Sequence, residues 1–140
     1  MTYISEALRR EVRERAHGRC EYCLIHERYS MRSHEVDHIY AEKHGGKTVA
    51  DNLCLSCLDC NRFKGSDLCS LDEETSQIVA LFHPHRHVWG EHFVMRNAAI
   101  EPLTPTGRVT IRLFRMNENE RVAERARLIR LGRYPQTDET

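Results

Sequence analysis

Val36 to Gly65 reads VDHIYAEKHGGKTVADNLCLSCLDCNRFKG. Val36-Asp37-His38-Ile39-Tyr40 alternates apolar and polar side chains as a half-buried strand does, turning Val36, His38 and Tyr40 to one face and Asp37 and Ile39 to the other. Gly45-Gly46 marks a turn inside a polar loop. Leu53-Cys54-Leu55 resumes an apolar strand, and Cys57 to Lys64 has the length of a short helix stopped by Gly65. The expected order is strand, loop, strand, helix. That order lets Asp37 and His38 of the first strand meet Asn61 of the helix. A carboxylate and an amide oxygen are hard ligands that suit Mg²⁺ or Mn²⁺, and imidazole titrates where a general base at neutral pH must. One metal, one base and a water make up a phosphodiester hydrolase.

Two knuckles bracket this unit, Cys20-x-x-Cys23 and Cys57-x-x-Cys60, with 33 residues between them. The interval exceeds the roughly 15–20 residues of a simple zinc ribbon, as expected if strand-loop-strand is inserted between the knuckles. Nothing at the N-terminus resembles a secretory leader, so a reducing, cytoplasmic setting is expected. There, paired CxxC motifs read as zinc ligands rather than disulfides. A four-thiolate zinc would be closed and structural, with no open position for chemistry. A rival finger of Cys20, Cys23, His34 and His38 leaves only 10 residues between Cys23 and His34 and orphans the second knuckle. The zinc deaminase signature is absent. Cys54 reads as core; Cys69 carries no assigned role and is either an accessory thiol or a buried small residue.

This constellation resembles the HNH endonucleases, the ββα-metal or His-Me finger superfamily. His38 with the preceding Asp37, Asn52 in Asp51-Asn52-Leu53, and Asn61 in Cys60-Asn61-Arg62-Phe63-Lys64-Gly65 match the motif positions, making an H-N-N variant over Cys20 to Gly65. The resemblance implies a metal-dependent endonuclease acting on DNA, with RNA as an alternative substrate. It implies that His38 deprotonates the attacking water and that Asp37 and Asn61 hold a catalytic divalent metal, Mg²⁺ or Mn²⁺. Asn52 would hydrogen-bond the loop backbone and orient His38. Many members carry His where Asn61 stands, and an amide is the weaker ligand. Arg62 and Lys64 are candidate phosphate contacts. A zinc-containing nucleic-acid-binding or adaptor protein that does not cut is the alternative.

The formal net charge is zero, so the chain as a whole is not a basic nucleic-acid glue, although 18 Arg against 3 Lys suits bidentate phosphate contacts. The longest apolar run, Ile78 to Phe82, is too short to span a membrane. One α+β domain is expected over residues 1–140: a zinc-stabilised ββα-metal core at 18–66, an elaboration at 67–133 and a frayed tail at 134–140. Residues 5–17 read as a helix capped by Ser5, with Ile4, Leu8 and Val12 on one face and Arg9, Arg10, Arg13 and Arg15 on the other, either solvated or contacting phosphate. Ile78 to Phe82 reads as a strand forming a hairpin with Val88 to Val94 across His83-Pro84. His83, His85 and His87 form an exposed polar loop or a second metal site, and Trp89 and Phe93 belong to the core. Thr104-Pro105 starts a helix. A second one follows, capped by Asn117, with Val122, Ala126 and Ile129 aligned and Gly132 closing it. Residues 66–102 carry a formal −4 and residues 107–133 a formal +5, which makes the arginine-rich end a candidate DNA-backbone contact or an amphipathic helix solvated by Arg/Glu pairs.

Overall fold

The computed structural model describes residues 2–135. Ser5 caps helix α1 (Glu6–Arg15), its hydroxyl accepting from the Leu8 amide. His17 and Gly18 then turn the chain through positive φ. Strand β1 (Glu35–His38) and strand β2 (Leu53–Ser56) form an antiparallel hairpin in which Val36 faces Leu55 and His38 faces Leu53. Helix α2 (Leu58–Lys64) starts on Cys57 and ends at Gly65. The expected ββα unit is therefore present. All of β2 is buried, because the hairpin is covered on both faces. Ile4, Val12 and Ala16 pack on Val36, Leu53 and Leu55 from one side. Tyr22, Ile39 and Cys54 join a larger core on the other.

The elaboration supplies that second cover. It is two hairpins rather than one. Strand β3 (Cys69–Asp72) pairs with strand β4 (Gln77–Ala80), so Ile78 pairs with Leu71 and not with the segment from Val88 to Val94. The turn is made locally: Asp72 accepts from the Thr75 hydroxyl and the Ser76 amide, and Ser76 takes φ 60°. Trp89–His92 is a short helix, α3, followed by strand β5 (Phe93–Arg96) paired with strand β6 (Ala99–Pro102). Trp89 and Phe93 are core-facing as expected; the indole donates to the Tyr22 carbonyl at 2.8 Å. Cys69 is exposed, not buried.

Thr104 caps helix α4 (Pro105–Leu113). Gly107 lies so close to the end of α3 that a Cβ there would stand 2.2 Å from the His92 carbonyl oxygen. Arg108 grips Asp72 with two hydrogen bonds, and Arg112 bonds Ser70 and the Leu71 carbonyl, which fixes the β3–β4 hairpin to α4. Helix α5 (Asn119–Arg130) departs from expectation. Its buried residues are Arg121, Arg125 and Leu128, while Ile129 is exposed. Asn117 does not cap it; the Asn117 amide pairs with the Ile100 backbone and receives Arg125 instead. Gly132 closes the helix at φ 69°. Tyr134, expected in a frayed tail, is buried with its hydroxyl donating to the Cys23 carbonyl at 2.6 Å. Residues 136–140 of that tail lie outside the described residues.

Candidate functional site

Cys20, Cys23, Cys57 and Cys60 are buried, with their sulfurs all within 4.8 Å of one another. Zn–S bonds of about 2.3 Å in a tetrahedron put sulfurs about 3.8 Å apart, and Cys23 and Cys57 sit 3.7 Å apart. The donor set fits one structural Zn²⁺. Its electrostatics point the same way: sulfur hydrogen bonds from Cys20, Cys57 and Cys60 hold Cys23 low, while contacts among the same thiols and burial push Cys57 and Cys60 up. Four crowded thiols cannot all ionise without a cation to bind them. The rival finger does not form: His34 is turned to the Ile25 carbonyl at 2.9 Å.

The reading of residue types missed Arg121. Its guanidinium donates to Cys60 Sγ at 3.1 Å and to the Phe114 carbonyl at 2.7 Å. Burial would lower its pKa, but the thiolates of Cys60, Cys23 and Cys57 reverse that, and the net shift is upward. A four-thiolate zinc carries a net −2, which a buried guanidinium partly neutralises. The only sequence signal is the Arg121–Arg125–Leu128 spacing, which the apolar Val122, Ala126 and Ile129 outweigh. Two of the eight C-terminal arginines are thus interior, and Arg108 and Arg112 are bound to β3. In α1, Arg13 bonds Glu27 and the His34 carbonyl, and Arg15 bonds the carbonyls of Ala50 and Leu53, so neither is a free phosphate contact.

The loop between β1 and β2 is held from within by Asn52. Its amide accepts from the Tyr40 amide and donates to the carbonyls of Tyr40 and Lys47, each at 2.9 Å. Gly46 is obligatory at this crossing, since a Cβ would fall 1.7 Å from the Tyr40 carbonyl oxygen. The closed loop delivers Thr48 to His38: Nε2 lies 2.9 Å from Thr48 Oγ1, which donates to Glu42 Oε1 at 3.1 Å. Glu42 itself is 3.5 Å from Nε2. Neither Thr48 nor Glu42 carries a motif signal.

Asp37 is half-buried on β1, and α2 packs against that strand. Burial pushes its carboxyl up, opposed by the Lys64 ammonium and the His38 amide. Lys64 is not a surface phosphate contact: it is 2% exposed, its ammonium 3.4 Å from the His38 and Gly65 carbonyls. Asn61, one turn earlier, shares the side of α2 that Lys64 presents. Arg62 is exposed and lies over Phe63, whose ring Arg115 also flanks.

His83, His85 and His87 neither form an exposed loop nor gather as a metal site; the four cysteines are the only such cluster among the described residues. His83 is buried, and its Nδ1 accepts from the amides of His85 and Arg86, while its own amide donates to His87 Nδ1. His85 reaches the Leu53 carbonyl at 2.8 Å beside Arg15. This turn is clamped to the end of β2, directly over the loop that holds His38.

A cavity of about 720 Å³ opens between the first knuckle and α5, away from His38. Its wall carries Asp59, Glu120 and Glu124 together with Arg32, Arg121, Arg125 and Arg127. A smaller one of about 260 Å³ lies between the Asn52-tied loop and the His83–His87 turn.

Residues 20–67 match the HNH endonuclease family. The matched segment contains both knuckles, the β1–β2 hairpin and α2, and the match suggests a nuclease or nucleic-acid-related role. Comparison with curated proteins and with solved structures gives no significant match. No helix among the described residues is long and apolar enough to cross a membrane.

Proposed function

We propose that the chain is a metal-dependent endonuclease that hydrolyses phosphodiester bonds in DNA, with His38 as general base. The observation that carries the reading is the hydrogen-bond chain at His38 inside the family-matched segment. The Thr48 hydroxyl spends its one proton on Glu42, so toward His38 Nε2 it accepts. In the neutral ring, Nε2 then bears the proton and Nδ1 keeps a lone pair. An imidazole fixed in that tautomer takes a proton from water at Nδ1, and the Glu42 carboxylate behind Thr48 stabilises the resulting imidazolium. Asn52 acts one step back, as the residue that positions the loop delivering Thr48.

Asp37 and Asn61 offer one carboxylate and one amide oxygen, a hard donor set that fits Mg²⁺ or Mn²⁺ retaining several waters. Such an ion would neutralise charge on the scissile phosphate and the leaving oxygen. Arg62, exposed beside Asn61, contacts a neighbouring phosphate. Free thiols and a thiolate zinc suit a reducing compartment such as the cytoplasm. One observation favours the alternative of a zinc-containing nucleic-acid-binding or adaptor protein: the Lys64 ammonium already compensates Asp37, and a cation there has less to gain.

Nicking of supercoiled plasmid by wild type and His38→Ala, with Mg²⁺, Mn²⁺ or no added metal, separates the two. Metal-dependent nicking that drops by about 10²–10⁴ in the variant is expected. No cleavage under any metal, by protein holding one zinc, would leave a binding or adaptor protein or an enzyme that needs a specific site. An RNA arm decides between the two nucleic acids.

A further inference from the structure

Between the Asn52-tied loop and the His83–His87 turn, Tyr40, Gly46, Lys47, Asn52, His83 and Arg86 line the cavity of about 260 Å³. Its outer wall comes from beyond residue 67, outside the family match. We propose that this cleft is a strand-binding subsite, holding the phosphate and sugar of a nucleotide next to the scissile phosphate, with Arg86 and Lys47 as its phosphate contacts. The proposal rests on the nucleic-acid reading of the site.

Four observations carry it. First, the cleft is smaller than the roughly 300–1,000 Å³ of sites that engulf a drug-sized ligand, so it suits one unit of a chain running past it. Second, its charge is right: Lys47 and Arg86 face a single carboxylate, Asp51, at the rim. Guanidinium matches phosphate oxygens two at a time. Third, Arg86 is presented by a rigid turn. The His83 ring takes the amides of residues 85 and 86, lies edge-on to Tyr40 with centroids 5.1 Å apart, and is covered from solvent. The Arg86 guanidinium then stands over the Tyr40 ring at 5.4 Å with its Nη1 3.3 Å from the Tyr40 hydroxyl, and the residue stays exposed. Fourth, the cleft shares a wall with the base. Lys47 adjoins Thr48, the hydrogen-bond partner of His38, and Tyr40 follows His38 by two residues. Extended chain covers about 3.3 Å per residue, so the subsite lies within roughly one or two nucleotide steps of the reacting phosphate.

The test uses the full zinc-loaded chain and fluorescein-labelled DNA and RNA oligonucleotides of one sequence, titrated from about 50 to 200 mM salt. Arg86→Ala and Lys47→Ala are each expected to weaken binding about tenfold and to shrink the salt slope by about 0.9. Arg96→Ala, which removes a distant exposed arginine, is expected to leave the slope unchanged. In plasmid nicking, Arg86→Ala is expected to raise KM with kcat retained, the opposite of His38→Ala. The stronger of the DNA and RNA arms names the strand. Wild-type affinity and slope in both Arg86→Ala and Lys47→Ala would overturn the subsite, as would a wild type that binds neither strand. If wild type cuts nothing yet both variants lose affinity, the nuclease reading fails and the subsite stands.

Discussion

Arg121→Met removes a guanidinium from the zinc centre while keeping the length and apolar stem of the side chain. The hydrogen bond to Cys60 Sγ at 3.1 Å disappears, as do those to the Phe114 and Arg115 carbonyls at 2.7 and 3.3 Å. A buried acceptor left without a partner costs about 1–3 kcal/mol, and the Phe114 carbonyl becomes one. Losing an outer partner of a metal ligand typically costs about 10–100-fold in metal affinity, or ~1.4–2.7 kcal/mol. Together these remove about 2–6 kcal/mol from a fold whose whole stability is on the order of 5–15 kcal/mol. Two assays read it. Competition with a chromogenic chelator gives zinc affinity, and calorimetry with zinc in excess gives a melting temperature, expected to fall on the order of 10 °C. Arg121→Lys, with a point charge in place of a fork, is expected to fall between. A methionine variant that holds zinc and melts as wild type does would refute the claim that the guanidinium neutralises the thiolate cluster.

Asn52→Ala removes all three bonds that close the β1–β2 loop and is expected to cost about 1–3 kcal/mol in urea unfolding. Because Thr48 is then misplaced, nicking is expected to fall about 100-fold; activity that tracks folded fraction alone would contradict this. Gly46→Ala forces the loop away from the Tyr40 carbonyl, and loss of nicking with unchanged zinc content is the expected pair of results. His83→Asn keeps an acceptor for the amides of residues 85 and 86 but cannot titrate. Burial, then the charges of Arg86, His85 and His87, hold the His83 imidazole at about 4 against an ordinary 6.5. Neutral when folded and protonated when unfolded, it contributes fully above pH 6.5, and that contribution is lost as pH falls toward 4. Urea midpoints for the asparagine variant are expected to decline less steeply over that window, and parallel curves would count against the assignment.

The parts of the fold legible in the sequence are those written locally. Ser5 and Thr104 cap their helices, Gly65 and Gly132 end theirs, and the alternation of Val36 to Tyr40 gives the first strand, which ends at His38, while Tyr40 packs on the same cluster as Ile39. The knuckles fix the zinc ligands through spacing alone. What stayed hidden depends on residues far apart. The uninterrupted apolar run marks Ile78 to Phe82 as extended without saying which strand it meets, and the turn at Asp72 to Gln77 decides that. Arg121 and Arg125 read as surface charges, contacting DNA or solvated, because arginine is usually exposed. Their burial depends on Cys60 and on the Ala98 and Phe114 carbonyls, which only tertiary packing supplies. Thr48 beside His38 is equally silent, since its importance comes from a loop that Asn52 closes. The histidines at 83, 85 and 87 suggested a shared face, but each instead found its own backbone partner.

The hydrogen bond from Tyr134 to the Cys23 carbonyl joins residues 111 apart, and it sets an order of events during synthesis. At about 5–20 residues per second, roughly 4–15 s separate the emergence of Cys60 from that of Tyr134. Both knuckles are complete at the start of that interval, so zinc can be captured while the second cover of the hairpin is still being made. During those seconds the Tyr22 and Cys54 side of the hairpin faces water or a chaperone. Of the described residues that bond to the first knuckle, Tyr134 is the latest made, so the knuckle's own cover waits on the end of that interval.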